Sequence, residues 1–237
     1  MFGDYDCVEF EEGALAQDDE TYYPGRGIYY YTYIDGVRKR GTVSIGFRCK
    51  RTTSDGKTQY GYVTCGHGCK DSIDKRIYAS SKTGAEAKGI ICDPTYSGSV
   101  DASYIKRVNK EIKIGAKTFY DASGGRNGDK LKTNVYKRGL AQNTVVYKCG
   151  VTTYKTSSCV SSQRFTKTLN GVKFINLTKV NSAFCQGGDS GGIVYTYQDN
   201  EYWPCGIVKG HGGSGADGYA FFVKASEIAN VLNVEPY

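Results

Sequence analysis

Two aromatic and β-branched runs joined by a two-residue turn leave this chain few folds. They are 28-IYYYTYI-34 and 37-VRKRGTVSIGF-47, with Asp35-Gly36 between them. Asp-Gly readily takes the positive φ angles of a tight hairpin, so the two runs read as antiparallel strands. A second hairpin runs from 42-TVSIGFRC-49 to 58-TQYGYVTC-65, around a polar loop with Asp55-Gly56. Further strand candidates are 100-VDASYIKRV-108, 144-TVVYKC-149, 172-VKFINLTKV-180, 193-IVYTY-197, 202-YWPCGIV-208 and 219-YAFFV-223. Their spacing and Gly-rich joins fit an all-β sandwich or barrel. At 237 residues the chain is long enough for one large all-β domain or two small ones. Only the C-terminus reads as helical. In 226-SEIANVLNV-234, Ser226 can cap, and Ile228, Val231 and Leu232 share one face.

Charge is unevenly spread. Residues 1–25 hold eight acids and no Lys or Arg, so with an overall charge of +7 the rest of the chain carries +15. The basic residues are scattered, as in Arg38-Lys39-Arg40 and Lys106-Arg107, and form no recognised nucleic-acid motif. A solvated lysine surface is the preferred reading, and no nucleic-acid partner is expected. No apolar run approaches membrane-spanning length, so membrane insertion is not expected. The acidic leader, residues 1–24, reads as a flexible tail in preference to a residual pro-segment docked on the basic body. Nine cysteines suggest an oxidising compartment, and the odd count leaves at least one thiol outside intrachain pairing. The first residues lack the basic start and apolar stretch of a secretory signal.

The chemistry begins at 185-CQGGDSGG-192, where four glycines surround Asp189 and Ser190. A serine hydroxyl is a poor nucleophile without a base to take its proton and donors to hold the resulting oxyanion. Glycines let backbone N–H groups turn together toward one point, and the N–H groups of Gly188 and Ser190 are placed to do so. Gly191 and Gly192 are expected to let substrate backbone approach closely. The chain has two histidines, His67 and His211. His67, in 63-VTCGHGC-69, follows a strand candidate and is the better base. Asp101, heading 100-VDASYIKRV-108, is the best acid to orient it, with Asp93 as the alternative.

These residues carry a resemblance. The order His67, Asp101, Ser190 and the motifs VTCGHGC, VDASYI and GDSGG resemble those of chymotrypsin-like serine proteases. The stretches 149-CGVTTYKTSSC-159 and 43-VSIGF-47 resemble segments of the bacterial α-lytic protease and streptogrisin branch. The resemblance implies two six-stranded antiparallel Greek-key β-barrels with a short C-terminal helix. The first barrel would span residues 25–115 and carry His67 and Asp101. The second would span 116–237 with the helix and carry Ser190. It implies a serine endopeptidase acting through an acyl-enzyme: Ser190 as nucleophile, His67 as base then acid, Asp101 as orienter, Gly188 and Ser190 N–H as oxyanion hole. The segment Lys209-Gly210-His211 would pair with substrate backbone by strand addition, with Phe184 and Gln186 near the primary pocket. A Cys149–Cys159 disulfide, a secreted monomer, a protein or peptide substrate, and no cofactor complete the expectation.

Several residues depart from the family pattern. Gly68 is inserted between His67 and Cys69, which puts a Cys49–Cys69 bridge in question. Asp189 has no new N-terminus to meet, and Lys148 stands where an internal arginine is usual nearby. Ala183, Phe184, Gly218 and Tyr219 lie near the expected pocket, with Asp217 close by. His211 either reads an acidic substrate side chain or lines the cleft rim, and the rim is preferred. Two other function classes are open to test: a catalytically silent protease-like binding module, and a structural zinc site on Cys65, His67 and Cys69 with Cys49 upstream.

Overall fold

The computed structural model describes residues 5–6, 9–10, 21–79, 85–121, 128–182, 184–213 and 217–237. Three short strands come first: β1 (Tyr5–Asp6), β2 (Glu9–Phe10) and β3 (Thr21–Tyr22). The expected hairpin follows as β4 (Gly27–Ile34) and β5 (Val37–Ser44). Asp35 at φ 51° and Gly36 at φ 74° form its turn. The second hairpin is β6 (Arg48–Thr52) and β7 (Thr58–Thr64), with Arg48 opposite Tyr62 and Thr52 opposite Thr58. After the one-turn helix α1 (Gly66–Cys69) come β8 (Arg76–Tyr78), β9 (Ala87–Ser97) and β10 (Val100–Arg107).

The chain bends between β5 and β6 without leaving the sheet. Gly46 N donates to Val63 O at 2.8 Å and Val63 N to Phe47 O at 3.0 Å. One bent strand therefore pairs with β4 on its first half and β7 on its second. The ladders β7–β10, β10–β9, β9–β8 and β8–β4 then close a barrel. Closure removes the exposed edges that an open sheet would leave.

A parallel pair of β3 with β11 (Lys113–Ile114) marks the exit from this barrel. The second barrel is built from β12 (Val145–Gly150), β13 (Tyr154–Leu169), β14 (Val172–Val180), β15 (Ile193–Gln198), β16 (Glu201–Gly212) and β17 (Tyr219–Lys224). Its order is β12-β13-β14-β17-β16-β15, and β15 returns to β12. Last come the helix α2 (Ala225–Val231) and β18 (Glu235–Pro236), which pairs back onto β6.

Each barrel has its own core, with Ile28, Val43 and Ile105 in the first and Val146, Val180 and Phe222 in the second. A third cluster lies between them. It joins Phe47, Val63 and Tyr104 to Tyr195, Ile207, Phe221 and Ile228 of α2. Burial of each such side chain contributes about 1.5–3 kcal/mol, so the junction is a packed core that fixes the facing edges of the barrels.

Some expectations fail for reasons of register and packing. Cys149 and Cys159 do not pair: Cys159 lies opposite Val145, while Cys149 lies opposite Lys155. Four register steps of about 3.3 Å separate them along the ladder, beyond disulfide reach. Cys49, Cys69, Cys149 and Cys159 are free thiols. In α2, Lys224 is the N-cap residue and no side chain caps the helix. Val231 faces solvent at 52% exposure, while Ile228 and Leu232 are buried. The strands β8, β9 and β13 were not among the candidates. Among the described residues, no helix is long and apolar enough to cross a membrane.

Candidate active site

Three distant segments meet where the barrels face each other. His67 sits in α1, directly after β7; Asp101 is the second residue of β10; Ser190 lies in the turn before β15. The His67 backbone N–H donates to Asp101 Oδ1 at 2.7 Å, which seats the helix on β10. His67 Nδ1 lies 2.5 Å from Asp101 Oδ2 and Nε2 lies 3.1 Å from Ser190 Oγ. With the ring neutral, Nδ1–H donates to the carboxylate and Nε2 accepts from the serine hydroxyl. The Tyr96 ring meets the imidazole edge-on at 6.1 Å. The sequence-expected nucleophile, base and orienter are thus brought together. Asp93, the alternative acid, lies elsewhere and bonds Arg51.

The glycine loop is held from behind. Gly187 O accepts a bond from Thr152 Oγ1, and Gly188 O accepts from Ser44 Oγ at 2.8 Å. Asp189 O accepts from Gly192 N at 2.9 Å. In a trans peptide the N–H points opposite to the preceding carbonyl. Fixing Gly187 O and Asp189 O therefore turns the N–H groups of Gly188 and Ser190 away from those supports. Gly188 at φ +88° adopts a backbone region that side chains with Cβ resist. Gly191 has a packing role that was not expected. A Cβ there would meet Thr64 Oγ1 at 2.3 Å and Cys65 N at 2.6 Å. Its missing side chain admits the first barrel's backbone, and Gly192 likewise admits Cys149 O.

Beneath the loop, Asp189 is fully buried against Lys148 Nζ at 3.0 Å. Its Oδ1 accepts from Thr152 N at 2.9 Å and Thr153 N at 3.2 Å. Its Oδ2 accepts from Thr153 Oγ1 at 2.5 Å and Gln186 N at 3.1 Å. Lys148 also donates to Thr153 Oγ1 and to Tyr154 O. An internal lysine meets the carboxylate without any new chain terminus.

The expected substrate-binding residues separate into two groups. Gly210 and His211 lie on β16 with β17 on one side and β1 on the other. Gln186 is exposed beside the loop. Phe184 does not line a pocket: it is 4% exposed in the second barrel's core beside Val146 and Phe222. Tyr219 packs edge-on against Phe165 at 5.7 Å, and Asp217 is exposed. Ala183 lies outside the described residues. The Lys209 side chain is also withdrawn from substrate. Fully buried, its Nζ lies 2.7 Å from Asp101 Oδ2, between the faces of Tyr96 at 4.6 Å and Phe174 at 4.4 Å. Only its backbone faces Ser190, with Lys209 O 3.4 Å from Ser190 Oγ.

The contact of this second lysine with Asp101 was missed by the sequence reading. Its strand, 205-CGIVKGH-211, is buried from Cys205 to Gly210, so no alternation reveals which way Lys209 points. Ser44 was also missed. It accepts from Val151 N at 3.0 Å and donates to Gly188 O, tying the loop to the first barrel.

The charges set opposing shifts. Burial acts to raise Asp101, but the imidazole and Lys209 outweigh it and hold the carboxyl well below its usual range. Burial acts to lower His67, but the Asp101 charge outweighs it and holds the ring above its ordinary value, while Lys209 draws it back. Burial pushes the neighbouring Cys65 thiol up, which keeps it neutral at ordinary pH. Both His67 ring nitrogens are engaged by Asp101 and Ser190, and no group of three His, Cys, Asp or Glu is arranged for a metal among the described residues.

No family model and no curated protein matches the sequence. Solved structures do. One is described as a glutamic acid specific serine protease that utilizes a novel histidine triad in substrate binding. It matches with a TM-score of 0.68 at 22% identity, over 91% of this chain and 100% of that one. Thermobifida fusca protease A matches at 0.66 with 19% identity, over 91% and 98% of the two chains. The Nocardiopsis protease matches at 0.64 with 18% identity over the same shares. At these identities the likeness establishes the fold, which is the two-barrel chymotrypsin-like fold of bacterial serine proteases.

Proposed function

We propose that this chain, with its chymotrypsin-like fold, is a serine endopeptidase that works through His67, Asp101 and Ser190. The observation that carries the reading is the unbroken line from Asp101 Oδ2 through His67 to Ser190 Oγ, with contacts of 2.5 and 3.1 Å. His67 Nε2 takes the serine proton as Oγ attacks the substrate carbonyl carbon. Asp101 fixes the tautomer and stabilises the imidazolium. The N–H groups of Gly188 and Ser190 hold the oxyanion. His67 then gives its proton to the leaving amine, and water releases the acyl group by the same steps. Substrate backbone adds as a strand along Gly210 and His211.

The glutamate-specific neighbour bears on specificity. This chain has two histidines, and His67 is occupied as the base. A substrate-reading triad of histidines therefore has no counterpart here, and His211 is assigned to the cleft rim. Cleavage of a peptide library would show no preference for Glu or Asp; a strong acidic preference would overturn that assignment.

Fluorophosphonate labelling tests the chemistry itself, on both the full chain and the chain with its leader removed. Label on Ser190, with Ser190→Ala reducing peptide hydrolysis by about 10⁴-fold or more, is the expected result. A folded protein that neither labels nor cuts would instead be a silent module.

A further inference from the structure

The proposed triad is split between the barrels. His67 and Asp101 belong to the first and Ser190 to the second, so the contact from His67 Nε2 to Ser190 Oγ depends on how the barrels are held. One carboxylate touches both. Glu227 lies in the first turn of α2, where an acid ordinarily complements the helix dipole. Here both of its oxygens are taken. Ser99 Oγ donates to Oε2 at 3.0 Å, and Asn176 Nδ2 donates to Oε1 at 3.1 Å. Ser99 belongs to the Gly98-Ser99 turn between β9 and β10, two residues before Asp101. Asn176 is the matching post on β14. Its backbone is at φ 58°, a region that asparagine tolerates better than most residues. Lys224 Nζ donates to its Oδ1 at 2.6 Å, which leaves Nδ2 for Glu227 and fixes the direction of the amide.

Backbone and rings run alongside this bridge. Ile175 N donates to Gly98 O at 3.0 Å, and Gly98 pairs with Phe174 in parallel. The Phe174 ring meets Tyr96 at 4.9 Å, and Tyr96 meets the imidazole. The turn that leads into Asp101 is therefore located by the second barrel and by α2 as well as by its own sheet.

We propose that Glu227 is a positioning residue: by holding Ser99 it sets where Asp101, and the imidazole seated on it, stand relative to Ser190. This rests on the endopeptidase reading above. Glu227 acts through Ser99 and the start of β10. Asp101 is the second residue of that strand, so a swing of the turn reaches it first. His67 Nε2 is already 3.1 Å from Ser190 Oγ, and a displacement of about 0.5 Å takes such a contact out of hydrogen-bond range. The apolar junction holds the barrels together, but hydrophobic contact has no direction. Hydrogen bonds to a carboxylate do, and they are among the stronger ones. The base of the bridge is firm, because Ala225 and Ile228, which flank Glu227, are fully buried in the junction.

A double-mutant cycle on Ser99 and Glu227 tests this in the full chain. Glu227→Ala should lower kcat by about tenfold with KM within about twofold of wild type, and Ser99→Ala should lower kcat by about fivefold. The double variant should be no slower than Glu227→Ala alone, because the bond to Ser99 is lost only once. Effects that multiply, or an unchanged kcat in folded Glu227→Ala, overturn the proposal. Rescue separates positioning from loss of stability. Glu227→Gln combined with Asn176→Asp reverses donor and acceptor in the second bond and keeps an acceptor for Ser99. This exchange should return kcat to within about threefold of wild type. An exchange variant as slow as Glu227→Ala overturns the proposal. If Glu227→Ala does not fold, Ser99→Ala and the exchange decide: an unchanged kcat in Ser99→Ala, or an exchange variant slower than Ser99→Ala, overturns it. A third readout needs no turnover. The proton resonance of His67 Nδ1–H should move in Ser99→Ala and return in the exchange variant, and a resonance that stays in place overturns the proposal. If the wild type neither labels with fluorophosphonate nor cuts peptide, the endopeptidase reading falls, and the resonance still decides whether Glu227 positions His67 and Asp101.

Discussion

Two buried lysines each face a buried aspartate, and they serve the molecule differently. Lys148 meets Asp189 at 3.0 Å under the glycine loop, and Lys209 meets Asp101 at 2.7 Å under the imidazole. All four side chains are fully withdrawn from solvent. Around Asp189 the partners are fixed donors: backbone N–H groups of Thr152, Thr153 and Gln186, and the Thr153 hydroxyl. None of these changes charge near neutral pH. Asp101 instead shares its oxygens with His67, whose charge would change in the proposed reaction. The same ion pair therefore acts as a fastener in one place and as a bias on a proton in the other. A buried ion pair is weak evidence for net stability, but removing one partner is strongly destabilising.

The largest effect should come from the fastener. Lys148→Met keeps side-chain length and leaves the Asp189 charge without its cation. A loss of about 3 kcal/mol is expected, read by thermal or urea unfolding. The oxyanion donors move with the loop, so kcat should drop by about 100-fold. The pH profile should keep its shape. Pairing the change with Asp189→Asn removes the stranded charge and should recover part of the stability. A Lys148→Met protein with unchanged kcat but a shifted pH profile would reverse the two roles.

Lys209→Met should do the opposite. His67 remains on Asp101, so the stability loss should be smaller, about 2 kcal/mol. His67 works as a base only when neutral, so kcat/KM rises with pH through the ring's pKa. That pKa already lies above its ordinary value because Asp101 outweighs burial, and the Lys209 charge draws it down. Without Lys209 the imidazolium is easier to keep, and the acidic limb should move to higher pH by about one unit. No movement of that limb would reduce Lys209 to a second fastener.

The contrast also explains what the sequence could say. Ser190, His67 and Asp101 were legible because each sits in a short motif of small residues that few other demands would produce. Lys148 was legible as a candidate because Asp189 needs a partner and lies beside the 149–159 segment. The contact of Lys209 with Asp101 was not legible because the side chain's direction depends on the β15–β16–β17 register, which a strand buried on both faces does not advertise. The same limit applies to β13, whose 16 residues include few buried positions and little apolar alternation. Asn170-Gly171, at φ 49° and 77°, was the hairpin signal that would have located it. Phe184 looked like a pocket residue from its distance to Ser190 along the chain, but packing turns it into the core. The Cys149–Cys159 bridge came from resemblance alone and failed on register. The leader's strands are two residues each and carry no periodicity, so their pairing arises only when both barrels present their edges.

The smallest of these effects lies where the fastener meets the first barrel. Ser44 Oγ accepts from Val151 N and donates to Gly188 O, so one hydroxyl joins β5, the segment after β12 and the glycine loop. Ser44→Ala removes both bonds at once and adds no charge. Two neutral bonds suggest a loss of about 1–2 kcal/mol in stability. The catalytic cost should be smaller than that of Lys148→Met, because Gly187 O and Asp189 O keep their own donors and still orient the two N–H groups. A drop in kcat of about tenfold, with KM little changed, is the expected result. The KM-against-kcat split separates loop positioning from substrate contact. If KM rises with kcat unchanged, Ser44 acts through the β5 edge where substrate or leader pairs. A fall in kcat as deep as that of Lys148→Met would make the hydroxyl, rather than the buried ion pair, the main support of the oxyanion donors.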